Sequence, residues 1–154
     1  PRRRAVLRSA AALAAAAVLP LPARAEAAAL HVVKDPGCGC CAAWIEILRS
    51  EGFAVTTEAR TGADLARYKL ENGVPEAMVS CHTGRIGGYT IEGHVPVADI
   101  RRLLSERPEA IGLAVPGMPY GSPGMGPESA RDAFDVYLIG RDGSHRVYAS
   151  YAAA

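Results

Sequence analysis

Apolar and polar residues alternate along the chain in short blocks that predict strands and helices in turn. Residues 30–33 form a short apolar run, so residues 30–34 are expected to be a buried strand that ends at a Pro-Gly pair. Apolar side chains then recur at helical spacing from Cys40 to Gly52, and glycine commonly ends helices. Residues 53–57 alternate as a second strand would, and residues 63–72 predict a second amphipathic helix.

The middle of the chain predicts a β-hairpin followed by a third helix. Residues 78–81 and 85–91 are the expected strands, with a turn at residues 83–84 between them. Residues 99–104 lie in the third predicted helix, which shares one apolar face with Val97. Three residues of the second helix are expected to contact the core: Leu65, Tyr68 and Leu70.

This order, β-α-β-α-β-β-α, is that of a thioredoxin-like α/β sandwich. In such a fold Cys38-Gly39-Cys40-Cys41 would occupy the C-x-x-C position at the start of the first helix. Val74-Pro75 would supply the cis proline that precedes the third strand. We therefore expect one thioredoxin-like domain.

A long stretch without periodicity separates these elements from the last two strands. Residues 108–127 contain five prolines, five glycines and two methionines. Loops of this length are usually functional or disordered. Residues 134–139 and 146–151 then predict a C-terminal hairpin across Asp142-Gly143, a dipeptide that favours such turns.

The N-terminus has the three parts of a signal peptide. Basic residues 2–4 precede an apolar run at residues 10–19, and Ala23-Arg24-Ala25 then supplies small residues at the positions that a signal peptidase reads. The apolar run is shorter than the ~20 residues that span a bilayer. We expect a signal peptide at residues 1–25, a periplasmic domain at residues 26–154 and no stable membrane insertion after cleavage. The export route, Sec or twin-arginine, stays open.

The charge of the domain argues against nucleic acid as a partner. The whole chain has a formal net charge of +1, but residues 1–25 contain five arginines and no acidic residue. The predicted domain keeps 12 basic and 16 acidic residues, so its net charge is −4. No basic patch remains that would bind a polyanion.

Three of the four cysteines, Cys38, Cys40 and Cys41, lie within four positions at the predicted start of the first helix. Backbone N–H groups and the positive end of the helix dipole favour thiolate over thiol there. Thiolates bind metals or attack disulfides, so the cluster indicates one of these two chemistries. A purely structural alternative pairs Cys38 with Cys41 and Cys40 with Cys81, since exported proteins often contain disulfides.

Five motifs along the chain recur together in one family. They are Cys-Gly-Cys-Cys-x-x-Trp at 38–44, Gly-Val-Pro at 73–75, Ser-Cys-His-Thr at 80–83, Gly-Tyr-x-x-Glu-Gly-His-Val-Pro at 88–96 and Pro-Gly-Met-Pro-x-Gly-Ser-Pro-Gly-Met at 116–125. In these motifs the chain resembles the CopG-type copper-handling proteins, long catalogued as a domain of unknown function in bacterial metal resistance loci. The resemblance covers residues 31–151. It implies a periplasmic, thioredoxin-like protein that binds Cu(I) through Cys38, Cys40, Cys41 and Cys81. These four thiolates could form a multinuclear cluster.

The donor chemistry agrees with copper. Thiolate and thioether are soft ligands that select Cu(I), and imidazole is compatible with it. Zinc is the less favoured alternative, because four-cysteine zinc sites usually pair two separated C-x-x-C knuckles. Met118, Met125 and His94 are further candidate ligands. Against this, methionines often fill gaps in cores, and His94 could be a helix-cap partner or an exposed residue. On a regular strand His82 would point to the opposite face from Cys81.

Copper binding in metal tolerance is therefore the expected function, with copper ions and other periplasmic copper-handling proteins as partners. The alternative is a thiol–disulfide oxidoreductase in which Cys38 attacks and Cys41 resolves. Cys40 and Cys81 argue against it, because additional thiols would trap mixed disulfides. The two functions could combine if the redox state of the cysteines gates copper capture and release. A disulfide-stabilised module that binds another protein is a third alternative, and no other catalytic motif is visible.

Overall fold

The computed structural model describes residues 29–154 of the chain. Within them lie seven strands and three α-helices. In chain order they are β1 (Ala29–Lys34), α1 (Gly39–Ser50), β2 (Ala54–Ala59), α2 (Gly62–Glu71), β3 (His82–Ile86), β4 (Tyr89–Glu92), α3 (Val97–Glu106), β5 (Gly112–Ala114), β6 (Phe134–Ile139) and β7 (His145–Tyr151). The expected α/β class is confirmed. None of these three helices is both long and apolar enough to cross a bilayer. The predicted signal peptide lies outside the described residues.

The seven strands form one mixed sheet in the order β2-β1-β3-β4-β5-β6-β7. The pairs β1–β2 and β4–β5 are parallel and are connected through α1 and α3, whereas all other neighbours are antiparallel. The register of β1 against β3 pairs Lys34 with His82. The C-terminal end of β1 therefore lies beside the N-terminal end of β3.

The helices cover both faces of the sheet. Helices α1 and α3 share one large apolar cluster with the strands; its fully buried members include Leu30, Trp44, Leu48, Ile91, Ile100, Leu103 and Leu113. A smaller cluster contains Val74, Met78, Ala114 and Ile139. Since Ala114 follows Leu113 in β5 and successive strand residues face opposite sides, the smaller cluster lies on the other face.

Helix α1 ends where the sequence predicts. Gly52 has a φ of +90°, a left-handed conformation that glycine adopts without steric cost. Its N–H group donates to the carbonyl of Arg49, and the N–H group of Phe53 donates to the carbonyl of Leu48. These bonds satisfy carbonyls that the end of a helix would otherwise leave without partners.

The predicted hairpin is shifted along the chain. Glu76–Met78 is a turn of 3-10 helix and β3 begins only at His82, so the expected strand at residues 78–81 is wrong. The 3-10 turn packs an apolar methionine into the smaller cluster, which explains why this segment has the apolar pattern of a strand. Residues 83–84 lie inside β3 rather than in a turn, and the turn follows at two glycines with positive φ.

Helix α2 presents a lysine to the interior. Lys69 is only 5% exposed, whereas Leu70 is 68% exposed, so the prediction of Leu70 as a core residue is wrong. Leu65 and Tyr68 are half-buried. The Nζ atom of Lys69 lies 2.6 Å from the Oε1 atom of Glu92, and this ion pair is the reason that a lysine can occupy the buried side of the helix.

Two other predictions are also wrong. The bond between Val74 and Pro75 is trans, as are all the peptide bonds of the described residues. Residues 108–127 are not without regular structure, because Gly112–Ala114 forms β5 between β4 and β6. A strand of three residues is too short to leave a period in the sequence. The C-terminal hairpin is confirmed, with β6 and β7 paired across the predicted turn.

The part of this stretch that follows β5, residues 115–127, is called here the Pro/Gly/Met loop, and it packs beside the start of α1. A Cβ atom at Gly124 would lie 2.7 Å from the backbone nitrogen of Trp44 and 2.9 Å from the carbonyl oxygen of Cys40. At its other end, the N–H group of Gly117 donates to the carbonyl of Val79. The loop thus contacts two segments that contain cysteines.

The Gly124→Ala variant tests whether the loop packs on α1, and Gly52→Ala is its control. Both glycines have nearly the same φ, +86° and +90°, but a Cβ atom at Gly52 meets nothing within 4 Å. The shared left-handed conformation should cost each variant about 1–2 kcal/mol of unfolding free energy. The close approach to α1 should cost Gly124→Ala about 1–3 kcal/mol more. Urea unfolding followed by Trp44 fluorescence measures both, and equal losses would contradict the packing of the loop on α1.

Candidate metal centre

Three segments meet at one end of the sheet because of the strand register. Residues 35–38 follow β1, whose last residue, Lys34, pairs with His82 at the start of β3. Cys81 immediately precedes that start, so it lies opposite the turn that contains Cys38. The N–H group of Gly93, just after β4, donates to the carbonyl of His82 and brings a third segment to the same place.

All four cysteine sulfurs converge there. The Sγ atoms of Cys38, Cys40, Cys41 and Cys81 all lie within 4.8 Å of one another. Cys38 is the N-cap residue of α1, and its sulfur accepts a hydrogen bond of 3.4 Å from the N–H group of Cys41. The first turn of α1 therefore aims its N–H groups and its dipole at the cysteines, as expected from the sequence.

Two of the four cysteines form a disulfide. Cys38 and Cys41 are bonded, while Cys40 and Cys81 are free thiols. The Sγ atoms of Cys38 and Cys40 are 3.5 Å apart. The structure thus contains one of the two bridges of the purely structural alternative and lacks the other, Cys40–Cys81.

Two histidines contact Cys81. Its Sγ atom lies 3.1 Å from the Nε2 atom of His94 and 3.3 Å from the Nδ1 atom of His82. The three residues form a second group whose ligand atoms are close enough to bind one metal ion. The expectation that His82 points away from Cys81 is wrong, because Cys81 precedes β3 and the alternation of a regular strand does not apply to it.

His94 is oriented by the Pro/Gly/Met loop. Its Nδ1 atom donates to the carbonyl oxygen of Pro123 at 2.7 Å, since a carbonyl can only accept. The proton is therefore on Nδ1, and the lone pair of Nε2 faces Cys81. Metal-binding histidines commonly donate their second ring nitrogen to a carbonyl in this way. His94 is also fully buried, which removes the alternative of an exposed residue.

His82 is buried against Trp44. The two ring centroids are 4.3 Å apart, and the indole Nε1 atom of Trp44 donates to the carbonyl of Val95. The Nε2 atom of His82 is buried and has no hydrogen-bond partner among residues 29–154. A buried polar atom without a partner is unusual and is often found at functional sites.

Burial disfavours the charged forms of Cys81 and of the two histidines. Burial first, and the neighbouring Cys40 second, raise the pKa of the Cys81 thiol to about 11. Burial also lowers the pKa of His82, assisted by His94 and Lys69 nearby. The pKa of His94 is lowered by burial as well, although the bond to Pro123 opposes this. At neutral pH both imidazoles are therefore uncharged and have a lone pair available for a metal.

The two candidate methionines are placed near the centre only through their backbone. Met118 is 55% exposed and follows Gly117, which is bonded to the segment before Cys81. Met125 is half-buried and follows Gly124, which packs on α1. The two remaining histidines lie elsewhere: His31 contacts Thr56 and Glu58 in β2, and His145 contacts Tyr137 in β6 edge to face.

Comparison with known proteins gives matches of two kinds. A sequence model of the family described as "Protein of unknown function, DUF411" matches residues 78–125. Two solved structures, described as copper resistance protein CopG in Form 2 and Form 1, are similar to this chain. Form 2 has a TM-score of 0.76 and 48% identity, and the match covers 82% of this chain and 99% of the other. Form 1 has a TM-score of 0.77 and 47% identity with the same coverage. No curated protein matches.

The raised pKa of Cys81 predicts how this thiol reacts in the metal-free protein. With a pKa of about 11, few molecules carry a Cys81 thiolate at pH 8. The rate of alkylation by iodoacetamide should be about tenfold below that of an unperturbed cysteine, after allowing for the higher nucleophilicity of a more basic thiolate. The rate should also keep rising with pH beyond pH 9. Peptide mass spectrometry measures it, with the unfolded protein as control. A rate that levels off between pH 8 and 9 would contradict the prediction.

Proposed function

Because this chain belongs to the family of the copper resistance protein CopG, we propose that it is an exported protein that binds Cu(I) in copper resistance. The proposed ligands are the sulfur atoms of Cys38, Cys40, Cys41 and Cys81, together with the Nε2 atom of His94. The convergence of four sulfurs within 4.8 Å is the observation that supports this most strongly. Such crowded sulfurs favour bridging of several Cu(I) ions over one regular tetrahedron.

The types of donor favour copper over other metals. Thiolate and imidazole ligands suit Cu(I), and the centre has no carboxylate within either group of potential ligands. Zinc is less well matched, because the cysteines come from one crowded turn and one distant residue rather than from two knuckles. Met118 and Met125 are proposed as outer donors that contact copper when the loop adjusts around it.

Copper capture is proposed to follow reduction of the disulfide. Cys38 and Cys41 are bonded in the structure, so two of the four sulfurs are not yet available as thiolates. An external dithiol would supply two electrons: the S–S bond breaks, two thiols form and the dithiol becomes a disulfide. Each thiol that binds Cu(I) then releases its proton. Transfer of two electrons from the sulfurs to an external disulfide would re-form the Cys38–Cys41 bond and release copper.

The cellular setting is proposed from the sequence. A signal peptide at residues 1–25 would direct the domain to the periplasm, where its partners would be copper ions and other copper-handling proteins. We also propose that the domain is thioredoxin-like. The neighbouring strands β2-β1-β3-β4 and the Cys38–Cys41 pair at the start of α1 support that relationship.

A thiol–disulfide oxidoreductase is the second candidate function. The observation in its favour is the Cys38–Cys41 disulfide at the N-terminus of a helix, the arrangement that lowers thiol pKa values in such enzymes. Cys40 is only 3.5 Å from Cys38 and would compete with Cys41 for a mixed disulfide. The position of Cys40 therefore favours metal binding over exchange with a protein substrate.

Replacing Cys40 by alanine separates the two functions. Cu(I) binding should fall by at least one ion per chain in protein that is reduced, loaded anaerobically and freed of loose metal with a chelator. The Cys38–Cys41 disulfide should still form, since neither of its sulfurs is altered. His31→Ala is the control, because it removes a potential copper donor whose ring contacts only β2 residues. Unchanged copper content with unimpaired disulfide exchange on a model substrate would instead favour the oxidoreductase.

A further inference from the structure

A buried ion pair is bonded to the residue that precedes Cys81, since Glu92 accepts from the backbone N–H group of Ser80. Lys69 of α2 and Glu92 at the end of β4 are 5% and 0% exposed, and the Nζ and Oε1 atoms are 2.6 Å apart. Neither residue belongs to a group of potential metal ligands. A buried ion pair is weak evidence for stability, because taking both charges out of water offsets much of their attraction. A gain in stability therefore does not explain why an ion pair is buried at this position.

The hydrogen bonds of Glu92 supply that explanation. Its Oε1 atom accepts from the backbone N–H group of Ser80 at 2.7 Å, and its Oε2 atom accepts from the hydroxyl of Thr83 at 2.6 Å. Lys69 donates to Oε1 of Glu92 and also to the hydroxyl oxygen of Thr83, at 3.1 Å. One carboxylate thus binds residues on both sides of Cys81 and His82.

The same carboxylate is close in sequence to the other side of the centre. Glu92 is followed by Gly93, whose N–H group donates to His82, and then by His94. A Cβ atom at Gly93 would lie 2.6 Å from the carbonyl oxygen of Val115, so this segment is tightly packed. The position of Glu92 therefore couples the segment that contains Cys81 to the segment that contains His94.

We propose that Lys69 and Glu92 are positioning residues that hold Cys81 and His94 at the distance copper binding requires. Glu92 is the acceptor that fixes the backbone of Ser80, and Lys69 holds that carboxylate in place by donating both to Glu92 and to the Thr83 hydroxyl. The inference rests on the proposed copper site for its function, but the positioning itself can be measured without metal. Residues that orient metal ligands typically change metal affinity by about 10–100-fold when they are replaced.

Two double variants isolate the role of the acceptor. Lys69→Met/Glu92→Met replaces the ion pair by apolar side chains of similar length, a change that buried pairs often tolerate, but it removes the acceptor of the Ser80 N–H group. Lys69→Met/Glu92→Gln is the matched control. Its amide oxygen can still accept from Ser80, and its amide nitrogen can donate to the Thr83 hydroxyl.

The first readout is the alkylation of Cys81 relative to Cys40 in reduced, metal-free protein, measured by peptide mass spectrometry. The ratio should rise about tenfold in Lys69→Met/Glu92→Met, since a segment that has lost a buried hydrogen bond opens more often. It should stay within about twofold of the unaltered protein in Lys69→Met/Glu92→Gln, where the bond is kept. Equal ratios in all three proteins would overturn the proposal, as would an equal rise in both variants.

The second readout is Cu(I) affinity by competition with a chelator. Lys69→Met/Glu92→Met should lose about 10–100-fold, and Lys69→Met/Glu92→Gln should recover most of it. If the unaltered protein binds no Cu(I), the proposed function fails, whereas the alkylation ratio still decides whether the pair positions Cys81. Should Lys69→Met/Glu92→Met not fold, Thr83→Val removes one donor to the carboxylate with little change of shape. It should raise the alkylation ratio in the same direction, and no change would overturn the proposal.

Discussion

The candidate centre depends on the antiparallel pairing of β1 with β3. That register sets Lys34 opposite His82, and it brings the sulfurs of the cysteine turn after β1 to within 4.8 Å of the sulfur of Cys81, about forty residues later. Backbone hydrogen bonds fix this register along the whole length of two buried strands. A shift by one residue would move every side chain of a strand to the other face and separate the sulfurs. The strand pairing that builds the core of the sheet therefore also sets the positions of the sulfur atoms in the site.

The centre combines local and distant elements with different roles. The first turn of α1 supplies three sulfurs and the N–H groups that favour thiolates, while the segments just before β3 and just after β4 supply Cys81 and His94 from the other side. The Pro/Gly/Met loop acts through backbone atoms, since the carbonyl of Pro123 decides which nitrogen of His94 carries the proton. This division explains how one small domain can offer both soft sulfur ligands and an oriented imidazole to a single site.

The sequence predicted the elements whose signals are local. Helix α1, its end at Gly52 and the C-terminal hairpin were predicted correctly, because helical spacing, a glycine stop and an Asp-Gly turn are properties of neighbouring residues. The start of β3 was predicted wrongly, because a 3-10 turn buries Met78 and mimics the apolar pattern of a strand. Because Cys81 and His82 were both treated as part of a regular strand, the side chain of His82 was predicted to point away from Cys81.

The ion pair between Lys69 and Glu92 was not predicted for a related reason. Helical periodicity assigns lysine to the solvent side, and its partner lies 23 residues away on another element. Nothing local in the sequence connects the two. The convergence of the four cysteines was expected from the motifs, but the distances of His82 and His94 from Cys81 follow only from the packing of three segments.

Metal content with a thiol count tests the central claim most directly. The protein would be reduced, loaded with Cu(I) without oxygen and compared with Cys81→Ser. The account predicts several coppers per chain, few thiols left free to react and a sharp loss of copper in the variant, because Cys81 joins the sulfurs of α1 to the histidine side of the centre. No bound copper, together with a Cys38–Cys41 disulfide that is readily reduced and active on a model substrate, would contradict it.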